Sequence, residues 1–175
     1  SIEQFAKEAA SQNVDIVCFP ELSICGYNAG NSNSPEPEPL KGPSLSGLET
    51  ISCTHNITLI AGLLERDVRG IIFNTQVVCG PNGYVGHYRK THVPTTENGT
   101  WSQGSALPVF EHAKARYGIE ICYDSHFPEV STLLAEKGAT IIFLPHASGS
   151  ETPGEKRARW MRYVPARAYD NNVYV

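Results

Sequence analysis

The chain lacks a basic excess. Its 175 residues carry 14 Lys and Arg against 18 Asp and Glu, a formal net charge of -4, so the electrostatic footprint of a nucleic-acid binder is missing. No apolar run approaches the ~20 residues that cross a bilayer, and nothing reads as a signal peptide, so no membrane association is expected. Cysteine is sparse: Cys18, Cys25, Cys53, Cys79 and Cys122 are an odd number, widely scattered, with no CxxC pair. That argues against a disulfide framework and a zinc ribbon, and makes a reducing cytoplasm the expected location. His87, His92, His112, His126 and His146 form no HxxxH or HExxH pattern, so no metal is expected. No repeat, Walker loop or GxGxxG is present, which removes support for nucleotide binding.

What remains is the composition of a globular enzyme-sized domain, 41% apolar and 18% charged. A chain of this length buries roughly 70% of its unfolded surface, and residues 1–175 read as one domain. Both ends suggest a piece of a longer chain. Residues 1–12 read as a helix already under way, with Ile2, Phe5, Ala6, Ala9 and Ala10 on one face, and Val173-Tyr174-Val175 reads as the opening of a buried strand.

Apolar strands alternate with helical patterns along the chain, which predicts an α/β layered fold. Val14 to Phe19 is a continuous apolar run, as in a strand covered on both faces, and it is stopped by Pro20 with Glu21 just beyond. Residues 26–43 form a Pro- and acid-spaced loop. A helix is expected over 44–56 and a strand over 57–63. A hairpin over 71–88 turns at Pro81-Asn82-Gly83. Lys90 lies where that hairpin runs into a long irregular segment ending near Pro108, and Glu97 and Trp101 fall within that segment. Further on, a helix is predicted over 129–137 and a strand over 140–144. Residues 155–172 read as a helix that Pro165 kinks or restarts.

The stretch from Tyr117 to Glu129 reads as a strand ending at Cys122, a sharp turn and a helix opening at Pro128. A thiol at such a junction lies near backbone N–H groups and a positive dipole end, which favour the thiolate. Glu21, Lys90 and Cys122 each follow a strand, and together they supply the base, cation and thiol that cysteine-based acyl transfer requires.

These motifs resemble those of the nitrilase superfamily of carbon–nitrogen hydrolases. Phe19-Pro20-Glu21-Leu22-Ser23 with Gly26-Tyr27 is similar to its glutamate motif, and Tyr88-Arg89-Lys90-Thr91-His92 to its lysine motif. Gly118 through Asp124 with Phe127-Pro128-Glu129 is similar to its cysteine motif, and Ala166 to Val175 to the helix and strand that follow. The resemblance implies an αββα sandwich, here without the first strand and the C-terminal strands, that pairs into a homodimer or larger assembly. It implies a Glu21–Lys90–Cys122 triad that needs no cofactor. In that triad Cys122 attacks, Glu21 moves the proton, and Lys90 with the Tyr123 N–H holds the oxyanion. A second glutamate is expected after the lysine: Glu97 first, with Glu111 or Glu120 as alternatives. His146 stands where the family places substrate-facing residues, but the usual Ser, Ala or Asn is absent there, which leaves the substrate open. Specificity is assigned to loops 28–43, 94–108 and 146–155. The expected activity is hydrolysis of a small amide or N-carbamoyl compound through a thioester. The alternatives are a catalytically silent scaffold domain and a true nitrilase.

Overall fold

The computed structural model describes residues 1–27, 36–97, 99, 101–147 and 152–175. Parts of the three loops expected to set specificity lie outside the described residues.

The chain runs α1 (Ile2–Ser11), β1 (Ile16–Cys18), α2 (Pro43–His55), β2 (Thr58–Arg66), β3 (Ile72–Gly80) and β4 (Gly83–Arg89). After a 3₁₀ turn at Thr95–Glu97 come β5 (Phe110–His112), β6 (Ala115–Ile119) and a second 3₁₀ turn, Cys122–His126. The rest is α3 (Pro128–Glu136), β7 (Ile141–Phe143), α4 (Pro153–Trp160) and α5 (Val164–Asn171). The first sheet has the order β1-β2-β3-β4 and the second β5-β6-β7. β1 pairs parallel to β2, and the β2–β3 and β3–β4 pairs are antiparallel, so β1 and β4 run the same way. β6 pairs antiparallel to β5 and parallel to β7.

The apolar pattern explains the layering. Alternate residues of a strand face opposite sides. In β2, Leu59, Ala61 and Leu63 pack with Ala6, Leu45 and Leu48 from the helices, while Ile60 packs the other way. Ile60, Val78 and Tyr88 meet Phe110, Tyr117, Ile119 and Ile121 of the second sheet. That sheet's far face carries Ile142 against Val130 and Leu134 of α3. The order helix, sheet, sheet, helix is therefore an αββα sandwich. Both faces of β2 are covered, in keeping with its apolar stretch Leu59–Leu64, whereas β1, expected to be covered on both faces, is only half-buried.

Pro165 acts as expected by restarting the helix, standing near the start of α5 after a break that follows α4. Tyr174 bridges to Ile141 in parallel, with Tyr174 N–H donating to Thr140 O and Ile142 N–H to Tyr174 O. The strand-like end is thus already paired to the second sheet. Two local expectations change. β5, in a stretch the sequence left unassigned, is a three-residue strand, and β6 ends at Ile119, three residues short of the cysteine.

Candidate active site

Parallel orientation of β1 and β4 places the residues that leave them, Glu21 and Lys90, at one end of the first sheet. The turn after β1 lies tightly on β2. Gly62 permits this, because a Cβ there would meet Leu22 N and Gln76 Oε1 at 2.4 Å each. Ile24 N–H donates to Gly62 O at 2.9 Å, and Gly62 N–H to Ser23 Oγ at 3.2 Å. Lys90 is tethered by its own backbone, its N–H donating to Asn74 O and its carbonyl accepting from Gly104 N–H. Cys122 opens the second 3₁₀ turn with φ of 48°, a left-handed conformation that a non-glycine residue holds only under tertiary constraint. Its N–H donates to Pro145 O at 2.9 Å.

Lys90 is fully buried and bridges two carboxylates, donating to Glu21 Oε1 at 2.8 Å and to Glu97 Oε2 at 2.9 Å. Glu21 is held further by Asn74 Nδ2 on Oε1 (2.8 Å) and the Ala147 N–H on Oε2 (3.0 Å). Glu97 also accepts from Trp101 Nε1 at 3.1 Å and from the Tyr27 hydroxyl. Burial works against the Lys90 ammonium, but the charges and hydrogen bonds of Glu21 and Glu97 outweigh it and hold the lysine above its usual range. It is a fixed cation, not a base.

The thiol behaves differently from the sequence expectation. Burial first, then the charge of Glu21 and a hydrogen bond to it, push Cys122 up to about 12, with Lys90 opposing. Two reasons defeat the thiolate. The turn of Cys122 is a short 3₁₀ segment, and α3 begins only at Pro128, so no long helix dipole points at the sulfur. Two carboxylates flank one lysine, so the nearby charge is net negative. Burial and the neighbouring carboxylate thus favour the protonated form of the Cys122 side chain.

Glu97 meets Lys90, whereas the alternatives for the second acid do not. Glu111 is exposed near Arg116, and Glu120, the residue after β6, turns toward α3, accepting from Ser131 Oγ at 2.6 Å. Tyr123 follows Cys122 in the same turn, with its ring against His126 and Phe127. His146 Nδ1 donates to Leu144 O at 2.8 Å and its ring lies 4.6 Å from Trp160. Burial, then Arg159, His126 and Lys90, hold it below the usual histidine range, with the bond to Leu144 opposing. Its neighbour Ala147 supplies the N–H to Glu21.

Sequence reasoning missed Asn74 and Tyr27. The signal for Asn74 was present: Asn74-Thr75-Gln76 is a polar run inside a strand that is otherwise apolar and buried from Phe73 to Gly80. Among the described residues, no group of three His, Cys, Asp or Glu could hold a metal ion, and no helix is long and apolar enough to cross a membrane.

The family profile described as carbon-nitrogen hydrolase matches residues 1–175. The chain belongs to the carbon-nitrogen hydrolase family. Among curated family members, human omega-amidase NIT2 is 32% identical over 182 residues, covering 98% of this chain and 64% of the relative. A protein named nitrilase from Pyrococcus abyssi is 32% identical over 181 residues, covering 98% of this chain and 64% of that protein. Among solved structures, Saccharomyces cerevisiae Nit3, of the nitrilase superfamily, superposes with a TM-score of 0.82 at 25% identity, covering 98% of this chain and 65% of Nit3. The chain thus spans just under two thirds of the length of these family members.

Proposed function

We propose that this carbon–nitrogen hydrolase cleaves small amides, or N-carbamoyl compounds, through a thioester on Cys122. The observation that carries the reading is the donor count on Lys90. An ammonium has three N–H donors, and Glu21 and Glu97 take two, leaving one for a developing oxyanion at a site where the Cys122 thiol is close enough to Glu21 to feel its charge.

The steps follow from this arrangement. As the Cys122 sulfur bonds to the carbonyl carbon, its proton passes to Glu21 and the carbonyl π pair moves onto oxygen. The Lys90 N–H and the Tyr123 N–H receive that oxyanion, and losing one such donor typically costs about 10²–10³ in rate. Collapse breaks the C–N bond, and the Glu21 proton leaves with the amine. Water then attacks the thioester with Glu21 again taking a proton, and the acid departs as the thiol is restored. Glu97 supports the lysine charge and does not handle a proton in this scheme, since Lys90, Trp101 and Tyr27 already occupy it.

The omega-amidase and nitrilase names of the family members leave amide and nitrile chemistry to be separated by assay. Ammonia release by the full-length protein should be measured with propionamide, succinamate, N-carbamoylglycine and propionitrile. Turnover of an amide or carbamoyl compound is expected, lost in Cys122→Ala. Turnover of propionitrile alone would reassign the protein as a nitrilase, and no turnover of any of the four would leave the silent scaffold.

A further inference from the structure

We propose that Asp124 is a positioning residue that locks the nucleophile turn onto the segment delivering Lys90, a role that rests on the hydrolase reading above. Cys122 and Lys90 belong to different sheets. Between those sheets lies an apolar interface, and apolar packing is non-directional, so it sets a separation without setting a precise register. A reacting constellation needs tighter control, since about 1 Å of misplacement can cost about 10²-fold.

Asp124 supplies the directional tie. Its side chain is fully buried. Oδ2 accepts from the Ile121 N–H at 2.8 Å, one residue before the nucleophile, and from the Tyr88 hydroxyl of β4 at 2.7 Å. Oδ1 accepts from the His92 N–H at 2.8 Å and from Thr91 Oγ1 at 3.0 Å, and His92 Nδ1 lies 3.2 Å away. Thr91 and His92 are the two residues after Lys90, and Tyr88 is two before it. One carboxylate therefore grips both sides of the lysine and the backbone that holds Cys122 in its left-handed conformation. The His92 ring adds a second contact, stacking on Phe127 at 3.8 Å just beyond the same turn.

A carboxylate is suited to this place because both of its oxygens only accept. Asparagine has nearly the same shape but turns one edge into a donor, which must then face either Tyr88 and Ile121 or Thr91 and His92. The turn is released from one side while the fold is largely kept.

The test compares wild-type full-length protein with Asp124→Asn, using whichever of the four compounds above the wild type hydrolyses fastest. Melting curves and iodoacetamide labelling of Cys122 are measured in parallel, well below the melting temperature. Labelling is substitution at a methylene, so it needs the sulfur but no oxyanion support. The expected result is a fall in kcat of about 10–100-fold, KM within about threefold, and a labelling rate within about threefold. Unchanged kcat, a fall in kcat matched by a fall in labelling in a folded variant, or loss of the melting transition in all variants, would overturn the assignment. If Asp124→Asn does not fold, Tyr88→Phe and Thr91→Val decide, since each removes one tie and leaves the carboxylate. Each should lower kcat about three- to tenfold, and unchanged kcat in both would overturn the role. Wild-type protein that hydrolyses none of the four compounds overturns the hydrolase reading and this role with it. Wild-type turnover with unaltered variants overturns this role alone.

Discussion

Replacing Glu120 with glutamine should flatten the acid-to-alkaline fall in stability. Glu120 is fully buried just beyond β6, on the side facing α3. Ser131 Oγ donates to its Oε1, while Oε2 has no hydrogen-bond partner among the described residues. Burial, and less so the Asp124 charge, push its carboxyl from the ordinary 4.5 to about 7, against the lowering effects of Ser131, Arg167 and His92. A raised folded value means that the native state holds the proton more tightly than the unfolded chain. Between pH 4.5 and 7 the native state binds more protons, so stability falls as pH rises through that window and levels off above it. That displacement corresponds to roughly 3 kcal/mol in full, most of it falling between pH 5 and pH 8. Glutamine keeps an oxygen for Ser131 and cannot ionise. Its unpaired N–H groups cost about 1–3 kcal/mol at every pH, so the diagnostic is the slope and not the offset. Urea unfolding at pH 5, 6, 7 and 8 should show the variant gaining roughly 2–3 kcal/mol on wild type across the series. At about 2–4 °C per kcal/mol for a chain of this size, thermal scans should show the same trend as several degrees. Parallel wild-type and variant profiles would refute the buried, proton-holding carboxyl.

Other substitutions probe the charge network. Lys90→Met leaves Glu21 and Glu97 without their shared cation, so turnover should be lost and stability should fall by about 3–5 kcal/mol, read by urea unfolding. Asn74→Leu removes the donor that fixes Glu21 Oε1, so kcat should fall about tenfold while Cys122 remains labelled by iodoacetamide; unchanged kcat would remove Asn74 from the positioning of Glu21. Trp101→Phe deletes one donor to Glu97 and shrinks the buried indole to a phenyl ring. A stability loss of at least about 1 kcal/mol is expected by denaturant titration, the ordinary worth of one hydrogen bond plus the lost packing.

Much of this arrangement was legible because it rests on local pattern. Apolar runs stopped by Pro20, at Lys90 and near Cys122 mark strand ends, and polar chemistry just past three strand ends is visible without coordinates. Glu97 was offered only through the family resemblance, with Glu111 and Glu120 as alternatives, and its contact with Lys90 comes from the fold. The remainder depends on pairings distant in sequence. Asn74 meets Glu21 across 53 positions, and Asp124 meets Tyr88 across 36, so neither role shows in a local window. The protonation state of Cys122 was misread for the same reason. A helix start beside the thiol is a local expectation, whereas burial and the Glu21 charge that decide the matter arrive through tertiary packing. β5 escaped assignment because three residues are too few to display alternation.

In the proposed scheme Glu21 both keeps the resting Cys122 protonated and takes its proton during attack. Glu21→Gln separates the two roles. It removes a charge and a hydrogen bond that raise the thiol while Lys90 still lowers it, and it removes the base. The most direct measurement follows Cys122 labelling by iodoacetamide at pH 8, mapped by peptide mass spectrometry, beside ammonia release from the preferred substrate. The account predicts that the variant labels at Cys122 at least as fast as wild type while turnover falls by about 10²-fold or more. Turnover within tenfold of wild type, or labelling that moves to Cys18 or Cys79, would contradict it.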